Sequence, residues 1–219
     1  LSGKPQRFRM NLVHKTLPPQ LFDVTNIPII VNEQVVGVYG VAQNITKQKQ
    51  DEEKIVQLAY HDVLTGLPNR LLFQQTLDRA LKEARGGTRK MAVMFIDIDR
   101  FKIINDSVGH PRGDEILKLA VAKMEQAVSR DCFLSRFSGD EFMLLIPEVD
   151  GDEVVRGTAL NLVNAFHTPI VHDDREFHLS ISIGISMYPN DGVDSEVLMK
   201  NADTALNGAK QRGGGNIQF

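Results

Sequence analysis

The chain has 219 residues, 42% of them hydrophobic, which is enough to bury one full domain with structure to spare and speaks against disorder. A formal net charge of −3 gives no global field for nucleic acid or an anionic membrane, so a phosphate ligand must be held by a local site, which favours a nucleotide over a polymer. The one cysteine, Cys132, cannot form an internal disulfide, and no signal peptide or membrane-length apolar run is visible, so the expectation is a cytoplasmic fragment beginning at Leu1, with missing segments free to carry an anchor.

Residues 8–15, 22–31 and 34–45 read as strands, separated by turn signals at Pro18-Pro19 and Asn32-Glu33. Residues 47–60, KQKQDEEKIVQLAY, read as a connecting helix with one late apolar turn at Ile55, Leu58 and Ala59. Either a stalk between two domains or a solvated linker fits that pattern, because sustained heptads are missing. From residue 61 onward the pattern alternates. Helices are expected at 71–84, 114–128, 152–166 and 195–211, strands at 91–97 and 177–187, and a hairpin over 132–146 with its turn at Ser138-Gly139. Helices surrounding a central hairpin predict an α+β domain, a mixed or antiparallel central sheet covered by helices.

The first candidate site lies at the end of the 91–97 strand. Asp97 and Asp99 are two apart on an extended chain, so both side chains point one way and could converge on a hard cation such as Mg²⁺; a solvated strand end is the plain alternative. A second acidic cluster, Asp140 and Glu141, follows Gly139 in the hairpin turn, a position where a backbone near a triphosphate needs space or unusual dihedrals. Taken alone, Asn105-Asp106 reads as a turn and Asp114 as a helix N-cap. His61 and the other histidines show no metal-ligand spacing.

Five motifs occur in order: DVLTGLPNR at 62–70, FIDIDRFKIINDSVGHPRGD at 95–114, RFSGDEF at 136–142, SISIGIS at 180–186 and ADTAL..AK at 202–210. Together they resemble the GGDEF domain of diguanylate cyclases, which condense two GTP into cyclic di-GMP and release pyrophosphate. The resemblance implies a ferredoxin-like nucleotide-cyclase palm over residues 61–219. It further implies Mg²⁺ or Mn²⁺ bound by Asp97, Asp140 and the main-chain carbonyl of Ile98. Asp140 matches the proposed general base, Glu141 its neighbouring acid, and Lys102 a lysine that stabilises charge on the transferring phosphoryl group. Asn105, His110, Asp114 and Gly139 match substrate positions, where an amide and a carboxylate suit guanine, and Lys210 matches a phosphate-binding lysine. The 62–69 motif is taken as mainly structural. Upstream, VVGVYGVAQNITKQK resembles the last strand and exit of a PAS sensor domain. Residues 1–46 are therefore expected to be the C-terminal part of a PAS-like domain, and residues 47–60 its linker helix.

Three departures bear on activity. Ser138 replaces the first glycine of the turn, Asn207 replaces a tyrosine, and Gly214 stands where a second phosphate-binding basic residue is usual, with Arg212 displaced from that place. Ser129 and Cys132 occupy the positions of the charged pair of the family's inhibitory product site, so cyclic di-GMP is not expected to act there. Two readings therefore remain. One is an active cyclase working as a homodimer, with no nucleic-acid partner and no membrane contact by this fragment. The other is a degenerate GTP-binding or scaffolding module regulating an attached domain, such as a cyclic di-GMP phosphodiesterase following the chain.

Overall fold

A computed structural model describes residues 4–16, 18–84 and 89–219, which form two compact units, Leu1–Ala59 and Tyr60–Phe219. In the first unit β1 (Gln6–Leu12), β2 (Gln20–Val31) and β3 (Gln34–Asn44) make an antiparallel sheet in sequence order. Asn32 and Glu33 form the β2–β3 turn, both at positive φ (49° and 65°), the backbone a two-residue hairpin requires. Strand alternation places Phe8, Val24 and Ala42 in one cross-strand row and Arg7, Thr25 and Val41 in the next. Among the unit's described residues only Val24 and Ile45 are buried hydrophobics. Helix α1 (Thr46–Tyr60) follows, its first residue accepting a hydrogen bond at Oγ1 from the Leu21 N–H; it has no buried residue.

The second unit is an α+β layer structure. Helix α2 (Arg70–Ala84) leads into β4 (Lys90–Ile98), whose residues from Met91 onward are all buried, as a strand covered on both faces requires. Helices α3 (Phe101–Val108) and α4 (His110–Ala127) come next, then the hairpin β5 (Phe133–Ser138) and β6 (Glu141–Val149), and α5 (Asp152–Ala165). The small hairpin β7 (Ile170–His172) and β8 (Arg175–Phe177) precedes β9 (Ile181–Tyr188), α6 (Ser195–Gln211) and β10 (Ile217–Gln218). The sheet runs β10-β9-β4-β6-β5; β4 is antiparallel to both neighbours and β10 parallel to β9, so the sheet is mixed, as expected.

The pleat of β4 sorts the core into two layers. Val93 and Phe95 pack with Phe73 and Leu77 of α2 and Leu198 and Leu206 of α6, while Met94 and Ile96 pack on the opposite face with Ile116 of α4 and Val155 of α5. By the same alternation Asp97 faces the α2–α6 side. Helix α6 lies directly on the sheet at Gly184, where a Cβ would fall 2.1 Å from the Ala202 carbonyl oxygen and the Leu206 nitrogen.

Several expected boundaries shift. Asn105 and Asp106 lie within α3, and Asp114 lies inside α4, which begins at His110 with Pro111 in its first turn, so neither the turn nor the N-cap reading holds. The hairpin turn is Gly139-Asp140, one residue later than expected, because Ser138 pairs with Glu141. Cys132 precedes β5. The expected 177–187 strand divides into β8 and β9.

Candidate active site

The β5–β6 turn is the centre from which the site is built. Gly139 adopts φ +49°, and a Cβ there would meet nothing within 4 Å, so glycine is needed for its dihedral and not for room. The Ile98 N–H donates to the Asp140 carbonyl (3.2 Å), and Asp97 stands opposite Glu141 across β4 and β6. Strand end and turn are thereby joined, bringing Asp97, Ile98, Asp140 and Glu141 into one neighbourhood. Ser138 does not project freely, since its hydroxyl donates to Glu141 Oε2 at 2.5 Å.

A brace behind the turn has a larger role than the sequence suggested. Arg136 donates from Nε to the Gly139 carbonyl (2.8 Å) and from Nη1 to Asp62 Oδ1 (2.8 Å). Asp62 also accepts from the Thr65 N–H and hydroxyl, and the Arg136 N–H donates to the Pro68 carbonyl. Burial alone would raise the Asp62 carboxyl, but the bonds from Arg136 and Thr65 outweigh it and hold the group below its ordinary range. The 62–69 segment thus holds the turn in place. His61 is structural, its Nδ1 lying 3.0 Å from the Gly66 carbonyl oxygen.

On the α3–α4 side of the turn lies a cleft of about 250 Å³ lined by Lys102, Asn105, His110, Asp114, Gly139 and Asp140. All six were singled out from the sequence. Gly113, which was not, shapes the wall: a Cβ there would come within 1.8 Å of Asn105 Oδ1, so the amide is seated directly against the helix backbone. Only the packing of two successive helices reveals this, and no local sequence signal marks it. A roomier hollow of about 560 Å³ lies between α2 and α6, where the Arg70 guanidinium stacks on Phe137, but it meets the predicted set only through Glu141. Chemistry and not size therefore marks the smaller cleft.

On the other side Lys210, in the last turn of α6, places its ammonium 2.7 Å from Asp97 Oδ2. Burial pushes the Asp97 carboxyl up to about 6 against the opposing pull of Lys210, and the charges of Asp140 and Glu141 add to the rise. Asp99 does not converge on Asp97. The strand ends at Ile98, and Asp99 accepts hydrogen bonds from the Ser180 and Ser182 hydroxyls (2.7 and 2.6 Å) and the Gly215 N–H (2.8 Å), tying down the segment after α6. Gly213, Gly214 and Gly215 all have positive φ. At Gly214, φ +78°, a Cβ would sit 2.9 Å from Asp99 Oδ1, so a side chain at the position usually basic in the resemblance would be strained and would press on the Asp99 carboxylate.

Ser129 and Cys132 lie in a local turn in which the Cys132 N–H donates to the Ser129 carbonyl (3.0 Å). Burial raises the Cys132 thiol, which packs beside the core, and no charged pair stands at these two positions.

The family model "Diguanylate cyclase, GGDEF domain" matches residues 59–216. The chain belongs to the GGDEF family. Signaling protein YkoW of Bacillus subtilis is 35% identical over 191 residues, covering 87% of this chain and 24% of that protein. Cyclic di-GMP phosphodiesterase NbdA of Pseudomonas aeruginosa is 39% identical over 163 residues, covering 74% and 21% respectively. The solved GGDEF domain of TpbB (YfiN) from Pseudomonas aeruginosa superposes with a TM-score of 0.70 at 34% identity, over 73% of this chain and 93% of that one. The GGDEF domain described here thus has the nucleotide-cyclase palm and belongs to cyclic di-GMP signalling, and the chain spans about a quarter or less of the two curated relatives' length. Among the described residues no helix is long and apolar enough to cross a membrane.

Proposed function

We propose that this GGDEF domain is a diguanylate cyclase that joins two GTP into cyclic di-GMP. The observation that carries the reading is the cleft that gathers Lys102, Asn105, His110, Asp114, Gly139 and Asp140 beside the Asp97–Glu141 pair. Asn105 and Asp114 offer an amide and a carboxylate to the donor and acceptor edge of guanine. Asp140 receives the proton of the attacking 3′-hydroxyl, with Glu141 beside it, while Lys102 and Lys210 meet the charge on the phosphates.

The residues fit a divalent cation. Asp97 is a buried carboxylate crowded by two further acids, and a cation relieves that crowding. Among the described residues no three Asp, Glu, His or Cys side chains cluster as ligands, and the proposed set, Asp97, Asp140 and the Ile98 carbonyl, is the one the family resemblance implies. Such sparse protein ligation suits Mg²⁺ or Mn²⁺, which retain waters and phosphate oxygens. Bound there, the ion would lower the charge cost of phosphoryl transfer.

Each domain offers one guanine cleft and the reaction joins two nucleotides, so the active form is a homodimer, and specific activity rises with protein concentration. The first unit, read as the C-terminal part of a PAS-like sensor, and α1 are the segments proposed to carry a signal. A second reading, a GTP-binding module that regulates an attached phosphodiesterase, is favoured by Gly214, which offers no basic side chain to the phosphates. Incubating the chain with GTP and Mg²⁺ and separating the nucleotides tests the two. Cyclic di-GMP formation supports the cyclase, whereas GTP binding without product supports the module.

A further inference from the structure

Asp97 is the only charged residue among the buried ones described, and a carboxylate so placed, with Asp140 and Glu141 close by, requires a counter-charge. Lys210 supplies it at 2.7 Å. The two partners differ in freedom. Asp97 is fixed by β4, which pairs on both sides, and its side chain is 9% exposed; Lys210 stands on a helix end with a flexible four-carbon stem and is 38% exposed. Among the described ion pairs Asp97 meets Lys210 alone; Arg212 lies just past the end of α6, and Gly214 carries no side chain.

Resting on the proposed function, each member of this pair has a second role, Asp97 holding a divalent cation and Lys210 holding phosphate. An ammonium 2.7 Å from Asp97 Oδ2 competes with a cation for the carboxylate and repels it. We infer that Lys210 is a latch on the metal site and sets its selectivity. With no nucleotide bound, the latch closes Asp97 against free divalent ions. A triphosphate draws the ammonium away and opens the carboxylate, so the site takes metal and triphosphate together in preference to either alone. Because the coupling is reciprocal, the metal in turn releases Lys210 for phosphate.

The latch predicts an unusual sign: removing a phosphate-binding lysine should strengthen metal binding. The nucleotide-free chain is titrated with Mn²⁺ at pH 8, with free ion counted by electron paramagnetic resonance, for the wild type, Lys210→Met and Asp97→Asn. Lys210→Met should bind Mn²⁺ about tenfold more tightly than the wild type, and Asp97→Asn should lose the site. Unchanged or weaker binding in Lys210→Met, with Asp97→Asn still abolishing it, overturns the latch and leaves the metal site standing. Mn²⁺ binding indifferent to Asp97→Asn overturns both. A second measurement needs no folded variant: inorganic tripolyphosphate in EDTA should shift the Lys210 side-chain ammonium signal in ¹⁵N NMR of the wild type. A signal that stays in place at saturating tripolyphosphate overturns the latch.

Discussion

On the α3–α4 side of the β5–β6 turn, Asn105, His110 and Asp114 line an open cleft, and no hydrogen bond or ion pair among the described residues joins them to one another. On the α6 side the charges are already engaged: Asp97 with Lys210, and Asp99 with Ser180, Ser182 and Gly215. The first flank is shaped by what is left empty, the second by what is paired. A ligand meeting Asn105, His110 and Asp114 breaks no ion pair among the described residues, whereas one entering at Asp97 must exchange partners. This is why a change on the first side should read out in affinity and one on the second in the coupling between ligands.

Asp140 stands between the flanks, and its loss should be the largest effect. Asp140→Ala should lower cyclic di-GMP formation by at least about a hundredfold, the scale of removing a group that acts on transition-state charge; turnover equal to wild type would dissolve the assignment. Asn105→Ala should cost the cleft about 1–3 kcal/mol of GTP binding by leaving guanine donors or acceptors unpaired, and should narrow the preference for GTP over ATP. Competition binding with the two nucleotides measures both.

Gly113→Ala sharpens the comparison, because it alters the cleft without removing any group proposed to touch a ligand. Its methyl would displace the Asn105 amide, so GTP affinity should fall roughly fivefold, while alanine within a helix offsets lost fit by about 0.5–1 kcal/mol of backbone entropy. A melting temperature that stays level or rises while binding weakens is the expected signature. A large fall in melting temperature would show that the glycine is needed for packing alone.

The smallest effect belongs to the brace. Asp62→Asn should destabilise the fold by about 1 kcal/mol at neutral pH, through the lost charge-assisted bond to Arg136. Because the folded Asp62 carboxyl lies below its unfolded value, its stabilisation is fully present above roughly pH 4–5 and is lost as pH falls through the lower folded value. Denaturant curves of wild type and variant should therefore stay a constant distance apart from pH 8 to about 5 and converge only in strong acid. A gap that widens on acidification contradicts the sign.

Much of this was legible in the chain. Helix α6 begins and ends where the sequence places it, at 195 and 211, and the structure adds its N-cap, the Asp194 carboxylate accepting from the Val197 N–H. Strand β4 extends the predicted 91–97 run by one residue at each end, since seven buried apolar positions leave little choice. Helix α3 was missed because it spans two turns, follows Arg100 at φ +57° and lacks a side-chain cap, so its Asn-Asp pair imitates a turn. The β7–β8 hairpin was missed because its turn uses Asp173-Asp174 at positive φ in place of a glycine signal. Asp99 was misread because alternation along a strand says nothing about where the strand stops. The Gly113 contact lay beyond reach, since it joins residues on two helices whose approach only the fold determines.

The bare backbone at Gly184 acts over a distance. Strand β9 supports α6 there with no side chain between, at Ala202 and Leu206, and Lys210 stands one turn further along the helix. Gly184 is thus a fulcrum: a methyl group wedged under α6 would push the helix off the sheet one turn before the residue that carries the ammonium. A position with no functional group of its own thereby sets how far a charge stands from the carboxylate it guards. Variation at the sheet's least conspicuous residue would be felt as a change in chemistry.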